Sequence, residues 1–329
     1  MIGGIICKLA VGTAFVAALV NAPAWAYELG MPGAEQKAGI TLGGGSAGVP
    51  SPGIYMFDQF ATYQGAYAGP NVPNGATVKT AAAATGFLFV PGWNFLGGTY
   101  DAVAVLPVYM AALGAPINAQ AAGMHNTYLV PGELSWKLGD SGFFLKTGLG
   151  MYVPDGTISG PSGLSNVGDP WWTFQPEFIV SYLKDGWNLT ANLFEEFHTK
   201  NPITKYQTGD IFHAEFTATK TIGKWTVGPV GYVVAQVTND TSSAFYNYAI
   251  NANRYTRIAA GGLVGYNFGP VALNVWLTDE FYSTASGKTP VAGVDLASVP
   301  RGWTGFASIS YRLWAPDEPA SSKRPQLTK

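Results

Sequence analysis

Five side chains able to move protons or hold a cation stand close together in this chain: Glu196, His198, Asp210, His213 and Glu215. A histidine flanked by carboxylates can ligate a metal or act as a general base. Glu196 and His198 are two apart, which on an extended strand sets both on one face. His213 and Glu215 repeat that spacing beyond a loop of about eight residues. Three convergent ligands would require the two segments to approach closely, whereas a hydrogen-bonded rim satisfies the same residues without it. The rim is the preferred reading, and no metal or cofactor is expected. A hydrolase would need a serine in a strained, glycine-flanked elbow beside one of these histidines. None stands there; Asp210 with His213 is the best enzymatic pair, and no catalytic residue is assigned. His125 stands in or beside a loop and suggests no chemistry.

The elements that carry these residues are strands. In Trp187-Asn188-Leu189-Thr190-Ala191-Asn192-Leu193, apolar and polar side chains alternate with a period of two. Such a segment presents one face to an apolar medium and the other to water. A pass along the chain gives twelve strands, at 54–64, 80–91, 97–109, 126–138, 143–153, 172–184, 187–199, 208–220, 224–238, 254–268, 270–282 and 302–314. Most exceed the roughly 9–11 tilted residues that cross a bilayer. The connections at 92–96, 139–142, 185–186, 221–223 and 269 are short. Those at 65–79, 110–125, 154–171, 200–207, 239–253 and 283–301 are longer and rich in Gly, Pro, Asn and Ser. Short turns at one end and longer loops at the other, with an even strand number, define an antiparallel transmembrane β-barrel. The even count places both termini in the periplasm.

Residues 1–26 read as an export signal: Lys8, an apolar run from Leu9 to Val20, then Ala24-Trp25-Ala26 as the cleavage triplet. The run is about a dozen residues, short of the roughly 20 a spanning helix needs. The sole cysteine, Cys7, lies inside that signal, so the mature chain is expected to carry no thiol. Residues 27–53 form a glycine-rich arm, 54–314 the barrel, and 315–329 a polar periplasmic tail. The arm has two open readings, a disordered periplasmic segment or a plug folded into the lumen. Only 12% of the 329 residues are charged and 14% are aromatic. A soluble domain carries about 25% charge. Removing Lys8 from the 18 basic residues leaves 17 against 20 acidic ones, a net charge of −3 that offers no field for nucleic acid.

Alternation assigns the faces, because a slip of one residue inverts every side chain. Phe174, Phe178, Val180 and Tyr182 point to lipid, with Thr173, Gln175, Glu177 and Ser181 inside. Phe212, Ala214, Phe216 and Ala218 point out, with His213, Glu215, Thr217 and Thr219 inside. Trp187, Trp225 and Trp303 open strands, and Tyr182 and Tyr266 lie near strand ends, as an interfacial aromatic belt requires. The inward charges are Lys146, Glu177, Glu196, Glu215, Arg257, Glu280 and Arg312. They read first as a salt-bridged network, since charges away from water must be paired, and second as a selectivity constriction. Gln175, His198 and His213 join them on the lumen face. Phe194 and Trp276 also fall inward, as stacking surfaces for an aromatic ring or as plugs.

Several stretches carry a family resemblance: Pro52-Gly53-Ile54-Tyr55, Pro91-Gly92-Trp93, Gly186-Trp187-Asn188-Leu189-Thr190, and the run Asn201-Pro202 to Tyr206-Gln207-Thr208-Gly209-Asp210 followed by Phe212-His213. Gly231-Tyr232, Gln236, Thr238, Asp240 and Gly265-Tyr266-Asn267 extend it. The chain resembles the outer-membrane proteins named for the meta-pathway of phenol degradation. That resemblance implies a barrel in the outer membrane of a Gram-negative bacterium, passing small hydrophobic or aromatic molecules; it brings no list of binding residues. A structural or adhesive barrel, or a hydrolase, remains the alternative. The expected partners are outer-membrane lipid, a small solute and the barrel-assembly machinery, and the expected state is a monomer.

Overall fold

The computed structural model describes residues 34–44, 46–68, 77–115, 118–159, 167–249, 251–288, 290–291, 294–295 and 299–316. The export signal at 1–26, the start of the arm and nearly all of the polar tail lie outside the described residues. Twelve antiparallel strands close on themselves: β1 (Gly53–Ala68), β2 (Thr77–Val90), β3 (Gly98–Leu113), β4 (Thr127–Lys137), β5 (Phe143–Val153), β6 (Thr173–Lys184), β7 (Trp187–His198), β8 (Ile211–Ile222), β9 (Trp225–Gln236), β10 (Asn251–Asn267), β11 (Val271–Lys288) and β12 (Val299–Trp314). Each strand pairs with its sequence neighbours, and β1 also pairs with β12 from Ile54↔Trp314 to Ala68↔Val299. That last ladder removes the free edges, so every strand finds its backbone partners within the wall. Among the described residues no helix is long and apolar enough to cross a membrane.

The ladders explain the alternation in loop length. Asp185-Gly186 joins β6 to β7 with both residues at positive φ, 53° and 77°. Two such residues match the right-handed twist of the flanking strands, and a side chain at 186 would in addition meet the Thr221 carbonyl. The short turns gather at one rim, which also holds the start of β1 and the end of β12. At the opposite rim the strands outrun the sequence estimate. β1 continues to Ala68, β3 to Leu113 and β11 to Lys288. The extension of β3 has a local cause, because residues 119–124, expected as loop, fold back and pair with it from Val108↔Met124 to Leu113↔Ala119.

Outward faces are mostly apolar. Phe178 (46% exposed), Phe216, Val275, Leu277 and Leu313 project from the wall, while Thr173, Gln175, Ser181 and Thr219 are buried inside. Aromatic side chains band the short-turn rim. Trp93 lies 5.6 Å from Tyr100, Phe143 5.1 Å from Tyr182, and Trp225 4.7 Å from Tyr266, centroid to centroid. Amphipathic rings in such a band suit the boundary between hydrocarbon and water. Prolines interrupt several of the ladders. Pro131 falls between the pairs Leu129↔Met151 and Glu133↔Gly148, and Pro176 between Phe174↔Phe197 and Glu177↔Phe194. A proline has no N–H to give a neighbouring strand, so pairing lapses there.

Candidate functional site

Twelve strands enclose more room than the roughly eight whose lumen side chains alone fill. Here residues 34–44 and 46–48, ahead of the first strand, occupy part of that room. An irregular segment has no sheet partner, so its N–H groups need other acceptors. Two lumen carboxylates supply them. Glu196 accepts the Glu35 and Gln36 amides, each at 2.9 Å, one on each oxygen. Glu215 accepts Gly39 N–H at 2.6 Å on one oxygen, and Thr41 N–H at 3.0 Å and the Thr41 hydroxyl at 2.6 Å on the other. Thr217 Oγ1 accepts Gly43 N–H at 2.9 Å, and Trp276 donates Nε1–H to the Gly39 carbonyl at 3.0 Å. Farther along, Ala47 N–H reaches Ser181 while its carbonyl accepts the Ser135 hydroxyl. Ala38 and Leu42 meanwhile pack into an apolar cluster with Tyr232, Leu263, Trp276 and Phe306.

Glycine is required where this segment turns. Gly43 has φ +85°, and a Cβ there would lie 2.3 Å from Leu263 Cδ1. Neither the dihedral nor the contact tolerates a side chain. Glycine at 43 thus follows from chain reversal against the wall.

The histidines flank the anchoring carboxylate. His213 Nε2 lies 3.3 Å and His198 Nε2 3.5 Å from opposite oxygens of Glu196, and all three side chains are fully enclosed. His213 stacks flat on Phe194, centroids 4.4 Å apart. Glu196, His198, His213 and Glu215 therefore form one inner row beneath the amino-terminal segment, near the long-loop rim. Asp210 does not join them. Its N–H donates to Thr238 Oγ1 at 2.7 Å and its carboxylate accepts from the Thr238 hydroxyl at 3.2 Å, because residues 199–210 leave the barrel wall and carry it into a turn.

Two ion-pair groups brace the wall. Lys146 binds Asp101 at 2.9 Å and Glu133 at 2.7 Å, with Glu177 beside them on the next strand. Glu280 accepts Arg257 Nε–H at 2.7 Å, the Tyr232 hydroxyl at 2.7 Å, the Tyr63 hydroxyl at 2.9 Å and Gly302 N–H at 3.1 Å. Arg312 lies apart from both. Alternation faces it inward, but β12 ends at Trp314, so its guanidinium sits exposed at the short-turn rim, donating to the Pro52 carbonyl beside the Tyr55 ring. Phe194 and Trp276 are both buried. Trp276 stacks on Phe306 at 5.0 Å, so these rings wedge the segment against the wall rather than standing free.

His125, unremarkable in the sequence, meets Glu35 at 3.8 Å and Asp169 at 4.0 Å. Asn126 draws Asp169 there, donating to its carbonyl at 2.9 Å and accepting its N–H at 3.1 Å. Burial, reinforced by the charges of Asp169 and Glu196, raises the Glu35 carboxyl well above the usual range, whereas the Thr173 hydroxyl that it accepts opposes the rise. No spacing rule could join residues from three segments so distant in sequence.

The amino-terminal segment leans on the polar wall of β6 to β11 and leaves a cavity of about 550 Å³ on the other side. The cavity is lined by Val78, Ala82 and Ala84 of β2 and Val105, Ala111 and Leu113 of β3, with Tyr63, Tyr67, Tyr109 and Tyr128 around it. It is bordered as well by Glu177 of β6, Asn192 of β7 and Arg257 of β10. The fold and an occupied lumen define an outer-membrane β-barrel. The chain belongs to the family described as "Putative MetA-pathway of phenol degradation", whose model matches residues 58–287.

One solved structure agrees in fold. An outer-membrane channel from Pseudomonas putida F1 is similar at TM-score 0.67 and 10% identity, over 80% of this chain and 96% of that one. The translocator domain of the autotransporter NalP from Neisseria meningitidis aligns over 82% of this chain and 91% of its own at TM-score 0.47 and 12% identity. No curated protein sequence matches.

Proposed function

We propose that this barrel is a channel for passive uptake of small apolar or aromatic compounds, monomeric, with both termini in the periplasm of a Gram-negative bacterium. The observation that carries the reading is the division of the lumen. Part of the polar wall holds residues 34–44 and 46–48, which act as a plug. The remaining space is lined chiefly by apolar side chains, among them valine, alanine and leucine of β2 and β3, with Lys37, Glu133, Lys146, Glu177 and Arg257 as charged members. Lys146 and Arg257 are neutralised by carboxylates of the wall, and a chiefly apolar lining favours an apolar occupant. The Glu196–His198–His213 row serves the plug rather than catalysis, because both oxygens of Glu196 already hold plug amides.

Filling the cavity tests the reading. Ala82→Trp with Ala84→Trp should abolish protein-dependent entry of a fluorescent aromatic compound into outer-membrane vesicles while leaving barrel assembly intact. Undiminished entry would remove the cavity from the route. A lateral exit is a second reading, favoured by one observation: Tyr128, Val130 and Glu133, which line the cavity, flank the lapse in pairing at Pro131.

A further inference from the structure

We propose that the cavity selects amphiphilic monoanions, holding an anionic head at Lys37 and an apolar body against β2 and β3. The inference rests on the uptake reading above and names the chemical class of its solute. Three cationic side chains line the cavity: Lys37, Lys146 and Arg257. Lys146 is shared by Asp101 and Glu133, and Arg257 is held by Glu280. Lys37 differs. Its ammonium donates to Thr80 Oγ1 at 3.2 Å and lies 4.8 Å above the Tyr63 ring, and among the described residues no carboxylate stands within ion-pair distance of it.

A half-buried cation with no carboxylate within ion-pair distance gains by acquiring a counter-charge. The groups that face it are Thr80 from β2, Tyr63 from β1, Arg257 from β10 and Glu280 from β11. Burial first, and then the Arg257 charge, bring the Lys37 amine down to about 7, against an opposing pull from Glu280. A bound carboxylate would supply the missing charge and make a charge-assisted hydrogen bond. Its hydrocarbon part would meet Val78, Ala82 and Ala84, carried by the same strand as Thr80. Glu177 also lines the cavity and would repel an anion placed beside it, so the head belongs at the Lys37 end. Lys37 is then a specificity residue carried by the plug, not by the wall.

The test uses the refolded full-length barrel and three fluorescent probes of one ring system: 2-naphthoate, 2-naphthalenemethanol and 2-naphthylmethylamine. At pH 6 the naphthoate is expected to bind at least about tenfold tighter than the alcohol, a difference of about 1.4 kcal/mol. Lys37→Met should erase that preference, and Lys37→Arg should keep it. Affinity of the native barrel for naphthoate should fall as pH rises through about 7, where Lys37 loses its proton. Lys37→Arg should show no such fall, because arginine stays charged, and a purely structural role for Lys37 would produce neither pH effect. Equal or tighter binding of the alcohol or the amine, or a preference that survives Lys37→Met, overturns the proposal while leaving apolar uptake standing. Binding of none of the three probes overturns both.

Discussion

The plug is anchored by carboxylates that accept backbone amides, so its release can be set by a single isosteric change. Glu215→Gln keeps size and shape but offers one acceptor oxygen where the native side chain has two. Gly39 N–H bonds to one oxygen, and the Thr41 amide and hydroxyl bond to the other. If the amide carbonyl turns to Thr41, the new NH2 faces Gly39 N–H, donor to donor. Stranding one buried donor costs about 1–3 kcal/mol, and two bonds fall from charged to neutral strength, roughly 1 kcal/mol each. The total is about 3–5 kcal/mol, equivalent to a hundredfold or greater rise in the released population. A reporter cysteine at Ser46 reads that population by maleimide labelling, since the only native cysteine is in the expected export signal. Labelling should accelerate about a hundredfold in Glu215→Gln, and planar-bilayer recordings should show more frequent openings. A labelling rate within about threefold of the native barrel would refute the reasoning, for Glu215 would then contribute too little to hold the plug.

Lys146→Met should destabilise the barrel by about 3–5 kcal/mol, because it leaves buried Asp101 and Glu133 facing one another without their cation. The check is the temperature at which the refolded protein loses its compact electrophoretic migration, and adding Asp101→Asn and Glu133→Gln should restore much of the loss. On the outside, Phe178→Lys should cost about 2–4 kcal/mol of folding into lipid vesicles, measured by urea titration. An unchanged midpoint would mean that Phe178 does not face the hydrocarbon.

The period-two pattern determined the strands and their facing and gave a count of about twelve, because side-chain direction along a strand is a local property that a few residues specify. It therefore placed Thr173, Gln175, His213, Glu215 and Trp276 on the lumen side, where they are found. The alternation of short and long connections was equally legible, although the strands at the long-loop rim run past the bounds expected for them. What those inward side chains touch was decided only in three dimensions. Glu215 meets Gly39 across 176 positions of sequence, and Trp276 meets the same residue across 237. Such contacts exist because the ladder between β1 and β12 closes the sheet and returns its amino-terminal extension to the inside. Strand alternation gives an irregular glycine-rich segment no direction at all, so its place in the lumen and the apolar space it leaves open belong to the tertiary structure. Asp210 and Arg312 show the same limit, since a residue at a strand's end obeys its turn or rim rather than the alternation within.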